Sequence, residues 1–207
     1  MLPPGTRLVD AQIVDSLNAN RNHVQAALKH LALQKIVTIE PNRGAHSCQP
    51  TAREARKIFV ARRAIEGAVV ASITPQRVRQ FEAQVNAHMA AAEKATRKSD
   101  RRAIVQELNS IHLLLGRISG NSMLSDILDN LMVRSSLIVA LYQRNDEPTC
   151  QHREHREHRD ILQALSAGEG EKAVKLMKHH LDHLAAELAL EKDQDRRIDL
   201  KAVLASV

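Results

Sequence analysis

The sequence holds 207 residues, 43% of them hydrophobic, with 30 Lys and Arg against 24 Asp and Glu for a formal charge of +6. That length sets one or two domains with room for a substantial core, and the mildly basic balance permits a nucleic-acid partner without demanding one. No run approaches the roughly 18 consecutive apolar residues of a membrane span, and Met1-Leu2-Pro3-Pro4-Gly5 shows no basic region followed by an apolar run, so membrane spanning and secretion are excluded as first readings.

In chain order, Ile13, Val14 and Leu17 form an apolar stripe at helical spacing, residues 18–20 interrupt it, and Val24, Leu28, Leu31 and Leu33 form a second stripe. This predicts a helix, a turn and a second helix. Asn18 suits the left-handed conformation that ends the first, and Asn20 can cap the second by accepting a backbone N–H bond. Val37, Thr38, Ile39 and Glu40 then read as a short strand, Pro41-Asn42-Arg43-Gly44 as a tight turn, and residues 45–48 as a returning strand. A hairpin placed after a helix-turn-helix is a wing. From Thr51 onward almost every window is rich in Ala, Leu, Glu, Lys, Arg and Gln and reads as helix. Thr51 with Glu54 fits a capping box, Thr74 with Pro75 fits an N-cap followed by proline, and Asn121 or Thr149 can cap later helices. Breaks near positions 73, 99, 120, 148 and 168 divide this part into about six helices. The expected architecture is mainly α, with a winged helix-turn-helix over residues 1–49 and an all-helical antiparallel bundle over residues 50–207.

These residues resemble the GntR family of transcription regulators, in its FadR-type subgroup with an FCD effector-binding domain, over nearly the whole chain. The resemblance is carried first by Pro4-Gly5-Thr6-Arg7-Leu8, the helix-turn-helix over residues 9–33, and Ile36-Val37 followed by Pro41-Asn42-Arg43-Gly44-Ala45. In the helical part it is carried by Arg62 with Ile65-Glu66, His112 followed by Ser119-Gly120-Asn121, Glu157-His158 followed by Ile161 and Ala164-Leu165, and Met177 followed by His180-Leu181. The sequence departs from the family pattern in two places. The family has a further helix before the Pro-Gly-x-x-Leu phrase, so the resemblance implies a winged domain lacking its first helix, with Ile13, Val14, Leu17, Val24 and Leu28 short of a packing partner. Where the family commonly has Arg-Glu-Ala-Leu in its recognition helix, this chain has Gln25-Ala26-Ala27-Leu28. That removes a candidate guanine contact and offers glutamine, which pairs with adenine, so the operator sequence should shift.

A recognition helix reads base edges through its N-terminal residues, here Asn20, Arg21, Asn22 and Gln25, with Arg21 the strongest candidate. Arg43 and Gly44 at the wing tip suit phosphate or minor-groove contact, and His46 can assist. Residues 1–50 hold five bases (Arg7, Arg21, Lys29, Lys35, Arg43) against three acids (Asp10, Asp15, Glu40), a net of +2, so charge alone does not identify a DNA-binding domain. The plain alternative is a merely solvated helix face and a turn-forming arginine. Only three aromatic residues occur, Phe59, Phe81 and Tyr142, too few for the stacking platform of a single-strand binder, which points to duplex. Proteins of this build act as homodimers on palindromic operators. Cys48 and Cys150 form neither a disulfide framework nor a zinc ribbon, so a reducing cytoplasm is expected.

Eleven histidines are present, six of them between positions 152 and 183. His112 lies among Leu108, Ile111, Leu115 and Ile118; His158 precedes Ile161, Leu162 and Leu165; His180 is flanked by Leu176, Met177, Leu181 and Leu184. Each therefore faces a core. A single histidine so placed is commonly a hydrogen-bonded core residue. Three on three helices of one bundle suggest a divalent transition metal such as zinc, nickel or manganese, because inward imidazoles are how bundles hold such ions. The resemblance implies the same three ligands, with an acidic residue or asparagine one turn before the first. Here that residue is Asn109, whose amide oxygen is a weaker ligand than a carboxylate, with Glu107 as a poorer-phased fallback. His152 and His155, amid Arg153, Glu154, Arg156 and Glu157, read as a charged, solvated helix start. His179 and His183 flank His180, and His183 can support it from behind. A surface metal site such as His155 with His179 is a lesser alternative.

The expected function is a DNA-binding transcription regulator whose operator binding is modulated by a small organic acid at that metal site. Arg134, Arg62 and Arg117 are candidate carboxylate partners, against the alternative of interhelix salt bridges. A metal sensor, a metal-dependent enzyme, and an effector-binding protein without DNA binding are the competing readings. The enzyme reading is weak, since the sequence places no general base beside the histidines and shows no nucleophile motif or phosphate-binding glycine loop.

Overall fold

The structure, a computed structural model, describes residues 5–97, 101–142 and 148–189. It opens with a short strand, β1 (Arg7–Leu8), followed by α1 (Asp10–Leu17), α2 (Arg21–Leu33), β2 (Val37–Glu40) and β3 (Gly44–Ser47). The turn chemistry is as the sequence predicts: Asn18 ends α1 at φ 47°, and the Asn20 side chain accepts from Asn22 N at 2.8 Å to cap α2. Glycine at position 44, with φ +82°, lets β3 begin immediately after the turn, one residue earlier than expected.

β1 was not evident in the sequence. It completes an antiparallel sheet of order β1-β3-β2, with Leu8 opposite Ala45 and Arg7 opposite His46. Its significance is the packing it supplies. Leu8, Val24, Leu28, Val37 and Ala45 form one small buried core, with Ile13, Val14, Ala19 and Leu31 packed on its edge. Val24 and Leu28, expected to lack a partner, are thus covered by β1 and the wing. Leu17, at 50% exposure, and Leu33, at 79%, remain open to solvent.

Seven helices follow among the described residues: α3 (Ala52–Ala71), α4 (Pro75–Gln80), α5 (Glu82–Arg97), α6 (Arg101–Ser119), α7 (Ser122–Tyr142), α8 (Pro148–Ser166) and α9 (Gly170–Ala186). Both halves of the Thr51–Glu54 capping box are formed, and Thr74 caps α4 ahead of Pro75. Asn121 caps α7 by accepting from Leu124 N at 3.1 Å, whereas Thr149 lies inside α8 instead of before it. The extra helix arises at Phe81, which turns in toward the core and separates α4 from α5. The expected breaks near 99 and 148 fall largely in residues 98–100 and 143–147, outside the described residues.

α3 packs against α6, α7 and α9, and so forms the spine of the bundle. Phe59, Ile111, Ile118, Leu128, Ile161 and Leu181 are among the residues that fill the second, larger core. The α6–α7 corner is pinned from outside. Gly120 adopts φ +70° with the Arg77 guanidinium directly against it, and Arg77 Nε donates to Ile118 O at 2.5 Å, satisfying a carbonyl at the end of α6. A side chain at position 120 would displace that guanidinium. No helix among the described residues is long and apolar enough to cross a membrane.

Candidate functional site

The helical phases of α6, α8 and α9 bring His112, His158 and His180 together in the bundle interior, all three buried. Their ring centroids lie 4.5 to 5.3 Å apart. The Nε2 atoms converge, with His158 to His180 at 3.1 Å and His180 to His112 at 3.4 Å. The opposite ring nitrogens of His112 and His180 face carboxylates. His112 Nδ1 donates to Glu66 on α3, and His180 Nδ1 donates to Glu157 Oε2 on α8 at 2.8 Å. Glu66 is in turn held by Arg62, one turn earlier on α3, whose Nε donates to Oε1 at 2.6 Å and whose Nη1 donates to Ser135 Oγ on α7 at 2.7 Å.

This pattern fixes the tautomers. With protons held on Nδ1 of His112 and His180, both Nε2 atoms present bare lone pairs to each other, an arrangement that a cation between them would relieve. Burial drives His112 down to about 4, against the opposing pull of Glu66, and drives His158 well below its ordinary value, with His180 and His112 adding to the effect. His112 and His158 are therefore neutral, which is the ligating form. Glu66 is pushed up by burial, but Arg62 and then His112 outweigh this and hold it at about 2. Glu157 is likewise pushed up by burial and brought below its ordinary value by the hydrogen bonds from His180 and His183. For tetrahedral ligation at the usual zinc–nitrogen length, neighbouring ligand atoms stand about 3.3 Å apart. The observed spacings match, so the residues fit a divalent transition metal.

A cavity of about 20 Å³ adjoins the triad, lined by Arg62, Leu108, Asn109, His112, Val139, Glu154 and Leu184. That is room for a water or a small ligand atom group. Asn109, the expected fourth ligand, thus shares a cavity with His112. Glu107 does not, because its carboxylate meets Ser110 and His88. Among the candidate arginines only Arg62 reaches this cavity. Its Nη2 is buried without a hydrogen-bond partner among the described residues. Arg117 is exposed on α6, and Arg134 acts electrostatically on Glu54 at the start of α3.

The expected charged, solvated start of α8 needs correction. Glu154 is buried, one turn before His158, and Glu157 bridges His180 and His183. The signal was present in the spacing, since Glu154 stands to His158 as position 108 stands to His112. His155 lies beside Arg159 and not with His179, and the side chain of His152 is outside the described residues.

In the winged domain Arg21, Asn22 and Gln25 are exposed at the N-terminal end of α2, while the Asn20 oxygen is engaged in capping. Gln25 donates to Asp10 Oδ2 at 3.2 Å, and Arg43, exposed at the wing, pairs with Glu40 at 2.8 Å. His46 is not at the wing tip. It sits in the middle strand between Arg7 and Thr38, its Nδ1 buried without a hydrogen-bond partner among the described residues.

Residues 57–183 match the family model of the FCD domain. The chain belongs to the FCD-domain family. Its winged helix ahead of the FCD domain gives it the architecture of GntR-type regulators, and solved structures of that build superpose on it. A Rhodococcus sp. RHA1 protein assigned to the GntR transcriptional regulators is 23% identical, with a TM-score of 0.76 over 92% of this chain and 90% of its own. E. coli McbR/YncC is 20% identical, with a TM-score of 0.75 over 89% of this chain and 87% of its own. Listeria monocytogenes Lar, which controls expression of the agr system, is 16% identical, with a TM-score of 0.60 over 90% of this chain and 87% of its own. These likenesses establish the FCD chain's fold. No curated protein matches the sequence.

Proposed function

We propose that this FCD chain is a cytoplasmic transcription regulator, not an enzyme, that binds a palindromic duplex operator as a homodimer and is modulated by a small organic acid at a metal site in the helical domain. The observation that carries the effector half is the convergence of three buried Nε2 atoms beside a cavity lined by a buried arginine, one of whose N–H groups is unpaired among the described residues. His112, His158 and His180 hold the metal, zinc, nickel or manganese, and Asn109 contributes an amide oxygen. When bound, the metal supplies an electrophilic centre for one carboxylate oxygen of the effector. Arg62 Nη2 donates to the other, a charge-assisted hydrogen bond from a buried guanidinium. The small cavity favours a short acid. Arg134 and Arg117, away from the cavity, contribute at most at a distance.

For the DNA half, Arg21 with Asn22 and Gln25 reads base edges in the major groove, and Arg43 with Gly44 contacts the backbone from the wing. The Arg43–Glu40 pair is exposed, so little opposes its exchange for a phosphate.

Elemental analysis of tag-free protein tests the metal: about one tightly held transition metal per chain is expected to survive purification, and His158→Ala should abolish that tight ion. Metal retained at full stoichiometry in that variant would refute the three-histidine assignment. Arg21→Ala should lose operator selectivity, at about 1–3 kcal/mol for a bidentate base contact, while sparing metal and effector binding. Unchanged selectivity would place base readout elsewhere.

A further inference from the structure

A second group of metal-ligating side chains lies on the solvent side of the α8–α9 pair. His179 and His183 stand one turn apart on α9, on a shared face, with ring centroids 4.0 Å apart. Glu157 reaches them from α8. Its Oε1 accepts from His183 Nδ1 at 2.5 Å, while Oε2 accepts from the buried His180. The ligand atoms of Glu157, His179 and His183 all lie within 4.8 Å of one another. Asp182, on the same stretch of helix, is engaged by Arg63 and stays out of the group.

From this geometry we infer that Glu157, His179 and His183 form a second binding site for a divalent transition cation, distinct from the buried triad and sharing Glu157 with it. Two imidazoles and one carboxylate select zinc, nickel, cobalt or copper over magnesium and calcium, which prefer oxygen ligands. His179 is exposed and His183 partly so, which leaves the remaining coordination positions to water and gives the ion free access. A cation there replaces the proton shared between Oε1 and His183 Nδ1. Because the other oxygen of the same carboxylate orients His180, the two sites are joined through one residue, and occupancy of the outer site alters the electron density available to the inner one.

The test is nickel(II) alone, titrated by calorimetry and equilibrium dialysis into chelator-treated, full-length protein. Two ions per chain are expected, one tight and one weaker. The double variant His179→Ala/His183→Ala, at accessible positions and checked for unchanged circular dichroism, should lose the weaker ion and keep the tight one. His158→Ala should do the reverse. Glu157→Gln should weaken both, each at least about tenfold, the lower end of what removing an outer partner of a ligand costs. Two ions retained in the double variant, or a wild-type protein that binds only an ion abolished by His158→Ala, would overturn the inference. Failure of the buried site alone leaves one nickel that depends on His179 and His183, so the two assignments fail separately.

Discussion

The winged domain and the helical bundle solve opposite packing problems. The first has five buried apolar residues, Leu8, Val24, Leu28, Val37 and Ala45, and keeps residues such as Arg21, Asn22 and Gln25 exposed. The second has a core large enough to enclose Arg62, Glu66, His112, His158 and His180, and holds these groups by mutual hydrogen bonds. The contrast shows where each domain is vulnerable: the winged domain through loss of scarce apolar contact, the bundle through an uncompensated buried charge.

The largest effect should therefore come from the bundle's only fully buried ion pair among the described residues. Arg62→Met leaves Glu66 charged and without its main partner, which costs about 3–5 kcal/mol. Urea unfolding measures it. Adding Glu66→Leu should recover much of that loss, since removing both charges also removes the desolvation cost. A loss below about 1 kcal/mol for the single variant would mean that the pair is solvated. The exposed Arg43–Glu40 pair is the control, with Arg43→Ala expected to change stability by less than about 1 kcal/mol.

Next is the winged core. Leu28→Ala removes one of its five buried members at a cost of about 2–3 kcal/mol, the lower part of the range for such truncations because the surrounding shell is thin. The two cores share no buried residue. Hydrogen exchange should thus show protection lost in α2 and the wing and retained in α3 and α9. Equal loss in both would show that the domains unfold as one unit.

Sequence and structure agree most closely where local chemistry decides the backbone. Asn18, Asn20, Thr51 with Glu54, and Pro75 each act over three or four residues, so their roles were readable without knowledge of the fold. The three histidines were readable for a related reason, since each lies on an apolar stripe whose buried side is set by helical period. β1 was not, because a two-residue strand has no periodicity and exists only through pairing with β3 across 37 residues of register, from Leu8 to Ala45. Glu66, Glu154 and Glu157 were missed as parts of the site because a carboxylate in a charged sequence looks solvated. Only the packing of α3 and α8 against α6 and α9 turns them inward.

The polar interior that distinguishes the bundle should also make it sensitive to acid. His112 is held at about 4 and His158 well below its ordinary value, so in metal-free protein the unfolded chain binds their protons first as pH falls. The native state then loses stability as pH drops from about 6.5 toward 4, by about 1.4 kcal/mol per pH unit for each such histidine. Glu66, whose value is lowered to about 2, contributes stability above 4.5 that is lost as pH falls through the range below it. Chemical denaturation of chelated protein at several pH values should show this slope in the bundle. A flat profile between pH 6.5 and 4 would contradict the burial of neutral histidines.

Apart from the Arg43 control, the smallest stability change should occur where the regions meet. Tyr142 Oη, at the end of α7, donates to Pro50 O at 2.6 Å, immediately before the Thr51 capping box that starts α3. Tyr142→Phe removes one hydrogen bond at a cost of about 1 kcal/mol. Its larger consequence should be on coupling. The segment from Ser47 to Thr51 joins β3 to α3, and this bond ties it to the far end of a helix that also carries Ser135, the partner of Arg62. If effector binding at Arg62 reaches the winged domain along α7, Tyr142→Phe should leave metal content and effector-free operator affinity unchanged and reduce the effector-induced change in that affinity. An unaltered effector response would mean that the signal travels through α3 directly. The buried pair that gives the bundle its greatest sensitivity would then act on the winged domain without help from α7.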